Sequence, residues 1–330
     1  MITFIVTTYN LEDWILRRCL KSIVAQGLAR DEYEIIVVDD ESAVSPQHVV
    51  DELVEQTNIT LYIQRHARQG AARNLGLQHA RGEWVQFVDG DDYLYPCTIP
   101  SCLALAKEND LDLLMFGFRK VYSDGVEDCP PHGTPHGLTP ITTGNDYMLC
   151  HNLLGSCCMM LFRRSLLESE TLGNPLRFTE DIYIEDEEFA TKLVWCAQRM
   201  ARTEAVVYAY YQRPDSTVHH RSREHTDELF RNYIMVLERL LHFESSLGDN
   251  AHEGVTRKVR TLAIDVLRRS LREPDWKERW IESVHQLRCL GLYPLPAARY
   301  SLKYSIFRLF ARCAVGRHML RWAEKHENTL

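Results

Sequence analysis

The chain has no excess of positive charge: 38 Lys and Arg stand against 46 Asp and Glu, giving a formal net charge of -8 and a pI near 6.0. That argues against nucleic acid as a partner, because general nucleic-acid binding leaves a basic footprint. No stretch approaches the ~20 apolar residues needed to span a bilayer. The N-terminus opens directly on the apolar run Ile2 to Val6, without the basic segment that begins a signal peptide. Ten cysteines, at 19, 97, 102, 129, 150, 157, 158, 196, 289 and 313, include no CxxC pair and no Cys/His cluster at zinc spacing. They read as reduced, mostly buried thiols, which places the chain in the cytoplasm. Internal repeats and low-complexity tracts are also missing. What is present, 45% hydrophobic and 25% charged residues over 330 positions, is the composition of a globular protein with one large or two ordinary domains.

Strand and helix signals alternate through the first hundred residues. Ile2 to Thr7, Glu34 to Val38, Ile59 to Ile63 and Trp84 to Val88 are short apolar runs. Between them, Leu11 to Gln26, a segment from Ser45-Pro46 to about Glu55, and Gly70 to Ala80 carry helical signals. Such alternation builds an α/β fold, a Rossmann-like, mainly parallel sheet with helices on both faces, whose ligands gather at the carboxyl ends of the strands. The polar tips Thr7-Thr8-Tyr9-Asn10, Asp39-Asp40-Glu41-Ser42 and Asp89-Gly90-Asp91-Asp92 all fall at such ends, which points to one shared site. A helix follows at Thr98 to Asn109 and a strand at Leu111 to Gly117. Residues 119 to 145, rich in Gly, Pro and His, read as hairpins or loops. Cys157 to Phe162 and Ala205 to Tyr211 read as strands flanking a helix from Glu185 to about Met200, and from Glu224 onward the chain is helical. The division expected is a domain of residues 1–222 and a helical C-terminal region of residues 223–330.

The most telling stretch is Phe87-Val88-Asp89-Gly90-Asp91-Asp92. Three carboxylates crowded around a glycine repel one another, so a fold that keeps them together is expected to supply a divalent cation or a polar ligand. Oxygen-only ligands favour Mg²⁺ or Mn²⁺ over zinc. The plainer alternative is a solvated acidic turn, since Asp-Gly is common turn chemistry.

In order, Ile5-Val6-Thr7-Thr8-Tyr9-Asn10, Val38-Asp39-Asp40-Glu41-Ser42, Gly70-Ala71-Ala72-Arg73-Asn74-Leu75-Gly76, Phe87-Val88-Asp89-Gly90-Asp91-Asp92 and Glu185-Asp186-Glu187-Glu188-Phe189 resemble the motifs of the inverting family-2 glycosyltransferases with the GT-A fold. The resemblance covers residues 1 to 217. It implies a transferase of hexosyltransferase type, moving a sugar from a nucleotide-diphosphate donor, for most relatives a UDP-sugar, to a saccharide or lipid-linked saccharide acceptor. It further implies that Thr7 and Tyr9 line the nucleotide pocket and that Asp40 accepts from the base. Arg73 would reach the nucleotide or the diphosphate. Asp91, the last carboxylate of the DxD signature, would bind Mn²⁺ or Mg²⁺ directly, with Asp89 touching the ribose or holding the cation through water. Asp186 would be the catalytic base, with Glu185, Glu187 and Glu188 raising its pKa. Arg213 and Ser216, in Tyr210-Tyr211-Gln212-Arg213-Pro214-Asp215-Ser216-Thr217, would close over the diphosphate, and His219 or His220 could add a nitrogen ligand to the cation. Asp39 is expected to serve as a helix N-cap or form an Asx turn. The segment Gly155 to Arg164 departs from the family pattern, which often has a Trp and a Lys there, so donor identity does not carry over.

Between Ser283 and Ala323 there is no acidic residue, while Arg288, Arg299, Lys303, Arg308, Arg312, Arg317 and Arg321 alternate with aromatic and aliphatic side chains. This is the pattern of a basic amphipathic helix, expected over 295–325, that lies on an anionic membrane surface on the inner face of the cell membrane. The alternative is a helix packed on the protein itself or on a second subunit of a homo-oligomer. Two rival functions stand beside the transferase. A nucleotidyltransferase would want a glycine-rich, basic phosphate loop after the first strand, and Thr7-Thr8-Tyr9-Asn10 offers none. A non-catalytic sugar-nucleotide or polysaccharide-binding subunit would have no need of Asp186.

Overall fold

The computed structural model describes residues 1–122, 137–169, 172–213, 222–248, 252–298 and 300–326. The chain divides into two units: residues 1–144 with 154–221, and residues 145–153 with 222–330. The second unit thus joins the residues from 222 onward to the short internal segment 145–153.

The first unit is built on an eight-stranded sheet in the order β3-β2-β1-β4-β7-β6-β8-β5. β1 (Ile2–Thr8), β2 (Tyr33–Asp39), β3 (Ile59–Ile63) and β4 (Trp84–Asp89) are mutually parallel. β1 and β2 are buried along their whole length, which is why they read as continuous apolar runs instead of alternating ones. The other half is mixed. β5 (Tyr93–Leu94) and β7 (Met160–Arg163) run antiparallel to their neighbours, while β6 (Leu113–Val121) and β8 (Met200–Tyr211) pair in parallel. β8 begins five residues earlier than the apolar pattern suggests, because its first half alternates buried Met200, Ala201, Thr203 and Ala205 with exposed Arg202 and Glu204.

Helices α1 (Asp13–Val24), α2 (Gln47–Asp51), α3 (Arg68–His79) and α4 (Thr98–Glu108) lie between or after these strands. α1 buries Ile15, Leu16, Cys19, Leu20 and Ile23, the spacing of one helical face. α3 lies close against β1: a Cβ at Gly76 would run into the Ile5 side chain. α6 (Glu185–Cys196) follows a 3₁₀ turn at Arg164–Glu168 and a coil segment, and a further 3₁₀ turn at Cys157–Met159 leads into β7. All nine described cysteines are free, five of them buried.

The second unit is helical: α5 (Gly144–Cys150), whose first residue belongs to the first unit, α7 (Arg223–Ser246), α8 (Glu253–Arg272), α9 (Trp276–Cys289), α10 (Leu302–Phe310) and α11 (Ala314–His326). Its core joins Tyr233, Val236 and Leu240 of α7 to Val259, Leu262 and Val266 of α8, the stripes visible in the sequence. The 145–153 segment is held by α8: Arg257 donates to the Leu149 carbonyl and to Asn152, and Lys258 Nζ to the Leu153 carbonyl at 2.9 Å.

Candidate active site

Sheet register brings the polar tips together. Thr7 is level with Asp89 across β1 and β4, and Thr8 with Asp39 across β1 and β2. The loops leaving these strands are stitched by the Gly90 amide on the Thr7 carbonyl at 2.9 Å and the Asp40 amide on the Thr8 carbonyl at 3.0 Å. Gly90 is needed there, because a Cβ would sit 2.7 Å from the Thr7 carbonyl oxygen. The rim is also where the backbone is strained. Asn10, Glu41, Arg68 and Ile184 all have φ between 48° and 67°, a region in which a β-branched residue such as Ile184 is an outlier. Each such residue costs on the order of 1–3 kcal/mol and persists where the surroundings over-determine it.

At the centre is Arg73. Its side chain is 2% exposed, and it draws three carboxylates from two separate parts of the chain. Nη2 meets Asp89 Oδ1 at 2.9 Å, and Nη1 meets Glu185 Oε1 at 2.8 Å and Asp186 Oδ1. The guanidinium thus faces the acids and not the solvent, where a nucleotide would arrive. Three carboxylates share one cation, and burial, and next the neighbouring Asp186, push the Glu185 carboxyl up to about 7. Burial also raises Asp186, opposed by Arg73. Of the flanking glutamates, Glu187 adds to the rise of Asp186, while Glu188 is occupied by Thr179 at 2.7 Å and by Lys192 at 2.5 Å. The Cys157 thiol, held well above its usual range by burial, lies 3.5 Å from Asp186 Oδ1 and donates to it.

Asp89 Oδ1 also accepts from Gln69 Nε2 at 2.6 Å, and the same nitrogen lies 3.3 Å from Thr7 Oγ1. Asp91 is partly exposed. Arg213 binds its Oδ2 through Nε and Nη2, both at 3.0 Å. Burial and the nearby Asp89 raise the Asp91 carboxyl, and Arg213 opposes them. Asp92 points inward, accepting from the Tyr208 hydroxyl at 2.7 Å and the Tyr211 amide at 2.8 Å, and so ties the loop to β8. Arg18 braces the same loop from below. It donates to the Asp91 carbonyl at 3.0 Å and lies over the rings of Trp14, Tyr93 and Tyr211.

A second cluster forms at the end of β2. The Asp39 carboxylate accepts from the amide and hydroxyl of Ser42, three residues on, and so braces the loop that leaves β2. Asp40 is buried and accepts from Gln64 Nε2 at 2.7 Å and the Ala67 amide at 2.9 Å, while His66 Nδ1 reaches its other oxygen at 2.9 Å. The half-exposed Tyr9 and His66 rings stack at 4.6 Å. His66, Gln69 and Cys157 escaped the sequence reading because each stands alone in its local sequence, and only the fold places it beside an acid. Ser216 and His219 lie outside the described residues.

The arrangement offers an aromatic and carboxylate pocket at β2, an acidic loop at β4, and a raised carboxyl at the start of α6, all on one edge of the sheet. The family model for glycosyl transferase family 2 matches residues 3–170. The chain is 29% identical over 221 residues to the uncharacterized glycosyltransferase EpsJ of Bacillus subtilis, an alignment covering 66% of this chain and 62% of that protein. It is 28% identical over 209 residues to the poly(ribitol-phosphate) beta-N-acetylglucosaminyltransferase TarS of Staphylococcus aureus, covering 62% of this chain and 34% of that one. The crystal structure of S. aureus TarS 1-349 superposes with a TM-score of 0.70 at 20% identity, over 99% of this chain and 91% of that one, and the same fragment in complex with UDP-GlcNAc gives 0.67. A mannosyltransferase from Pyrobaculum calidifontis, solved with GDP-Man and Mn²⁺, matches with a TM-score of 0.54 at 18% identity. The fold is that of the GT-A enzymes, and the chain belongs to glycosyl transferase family 2.

Proposed function

We propose that the protein is an inverting transferase that moves a sugar from a UDP-sugar to a hydroxyl of a saccharide or lipid-linked saccharide, with Asp186 as base. The observation that carries this reading is the Arg73 cluster, which ties Asp186 to Asp89 of the acidic loop through one buried guanidinium. The base and the leaving-group end of the site are thereby held in fixed relation, as a single displacement requires. Asp186, raised by burial, is suited to take the proton from an acceptor hydroxyl. Arg73 acts in this reading as a positioning residue for the base. Tyr9 and His66 offer a stacking surface for the nucleobase, and Asp40 an acceptor for its N–H.

The acidic loop suits a hard divalent cation. Among the described residues no group of three His, Cys, Asp or Glu side chains is placed to hold a metal ion, so a cation would rest on Asp91 with Asp89 beside it and take its remaining oxygens from the diphosphate and water. Bound there, Mn²⁺ or Mg²⁺ would stabilise charge on the leaving diphosphate. The Arg213 guanidinium, which neutralises Asp91 in this structure, is then released to bind phosphate oxygens. UDP-GlcNAc and UDP in the TarS structures support the choice of a uridine donor.

Release of nucleoside diphosphate from uridine, guanosine and thymidine diphosphate sugars, with and without Mn²⁺, tests the proposal. Turnover of a UDP-sugar that needs the metal and Asp91 is expected. Release from none of them, with the protein folded, would refute it.

A further inference from the structure

α10 and α11 are apolar on both sides. Inward, α10 buries Tyr304 and Phe307, and Ala311 at its C-terminal end is buried too. Half a turn away, Leu302, Ile306 and Leu309 point out at positions i, i+4 and i+7. α11 repeats this design with Val315, Met319 and Trp322 at the same spacing, opposite the buried Glu324. These six side chains are between 45% and 77% exposed, on consecutive helices that pack together. A surface helix ordinarily keeps this face polar.

The charge around the rows is of one sign. Lys303, Arg312 and Lys325 are exposed. The one acid between residues 300 and 326, Glu324, is turned inward and spent on Arg268 and Arg272. Arg317 and Arg321 flank the hairpin over the rings of Trp280 and Trp276. All of this positive charge sits on a chain of net charge -8.

We propose that the outer face of the α10–α11 hairpin seats on an anionic lipid surface, with the two apolar rows entering the headgroup region and the basic rim against the lipid phosphates. No described helix is long and apolar enough to cross a membrane, so the hairpin lies in the interface. A second copy fits this face less well, because a two-fold contact would set two cationic rims against each other. The negative remainder of the chain is repelled by the same surface, which fixes the docking orientation. The proposal is independent of the nucleotide reading, since vesicles carry no sugar nucleotide.

The test is co-sedimentation of the full chain with vesicles of phosphatidylcholine alone or with about a third phosphatidylglycerol, alongside a Leu309→Glu/Trp322→Glu variant whose melting temperature checks folding. Roughly tenfold stronger binding to the anionic vesicles, weakened by salt and lost in the variant, is expected. Absent or equal binding of the wild type on the two vesicle types overturns the proposal, as does unchanged binding of a folded variant. A wild-type dimer at working concentration that the variant dissolves would overturn it too, by assigning the face to a second copy.

Discussion

The two units depart from the usual rule of burial most visibly at different kinds of side chain. The first buries charge: Arg73, Glu185 and Asp40 are almost wholly enclosed. The second exposes large apolar side chains, Leu302, Leu309, Val315 and Trp322 among them. Buried charge and contiguous exposed apolar surface are the two departures from globular packing that carry information, because each raises the free energy of the isolated chain. In the first unit the cost is offset by pairing, and the arrangement is legible as chemistry. In the second nothing among the described residues offsets it, which directs attention to what lies outside.

Substitutions can break this contrast, the largest effect first. Asp186→Asn keeps the shape of the cluster but removes the proton acceptor, and is expected to lower kcat by about 10²–10⁴-fold with folding intact, read by UDP release and by thermal melting. Arg73→Met leaves three carboxylates without a cation and should cost about 3–5 kcal/mol in denaturant unfolding at neutral pH, unlike the substitution of an exposed arginine.

Glu185→Gln sharpens the comparison through pH. A carboxyl whose folded pKa of about 7 exceeds its ordinary 4.5 binds its proton more tightly in the folded state. Its contribution is therefore full below pH 4.5 and is lost as pH rises through 7. The wild type should lose on the order of 2 kcal/mol across that window, and Glu185→Gln should flatten the profile and be the more stable protein above it. A variant with the wild-type slope would assign that titration to another group. Smallest of all, Leu309→Glu on the exposed face should change unfolding stability by no more than about 0.5 kcal/mol.

The parallel half of the sheet was readable because its strands are continuous apolar runs ending in polar tips, and β1–β4 register then forces Thr7, Asp39 and Asp89 together. The mixed half was less readable. The first residues of β8 alternate in burial, and β7 is only four residues long, so neither gives a strong local signal. The short α5 was missed because it is stabilised by α8, more than a hundred residues on, through Arg257 and Lys258. Within the site, the carboxylates were visible as motifs. Their partners were not: Arg73 was expected to face the nucleotide, and only the close approach of α3 to β1 at Gly76 shows that its guanidinium ends among acids.

The central claim, that Asp186 takes the acceptor's proton and is not needed to bind the donor, is tested most directly by pairing calorimetric titration of UDP-GlcNAc in Mn²⁺ with a UDP-release assay, on the wild type and on Asp186→Asn. Binding equal within about twofold, with release reduced by about 10²–10⁴-fold in the variant, is the predicted result. Equal binding with equal release would contradict it, and the base would have to be sought elsewhere in the cluster.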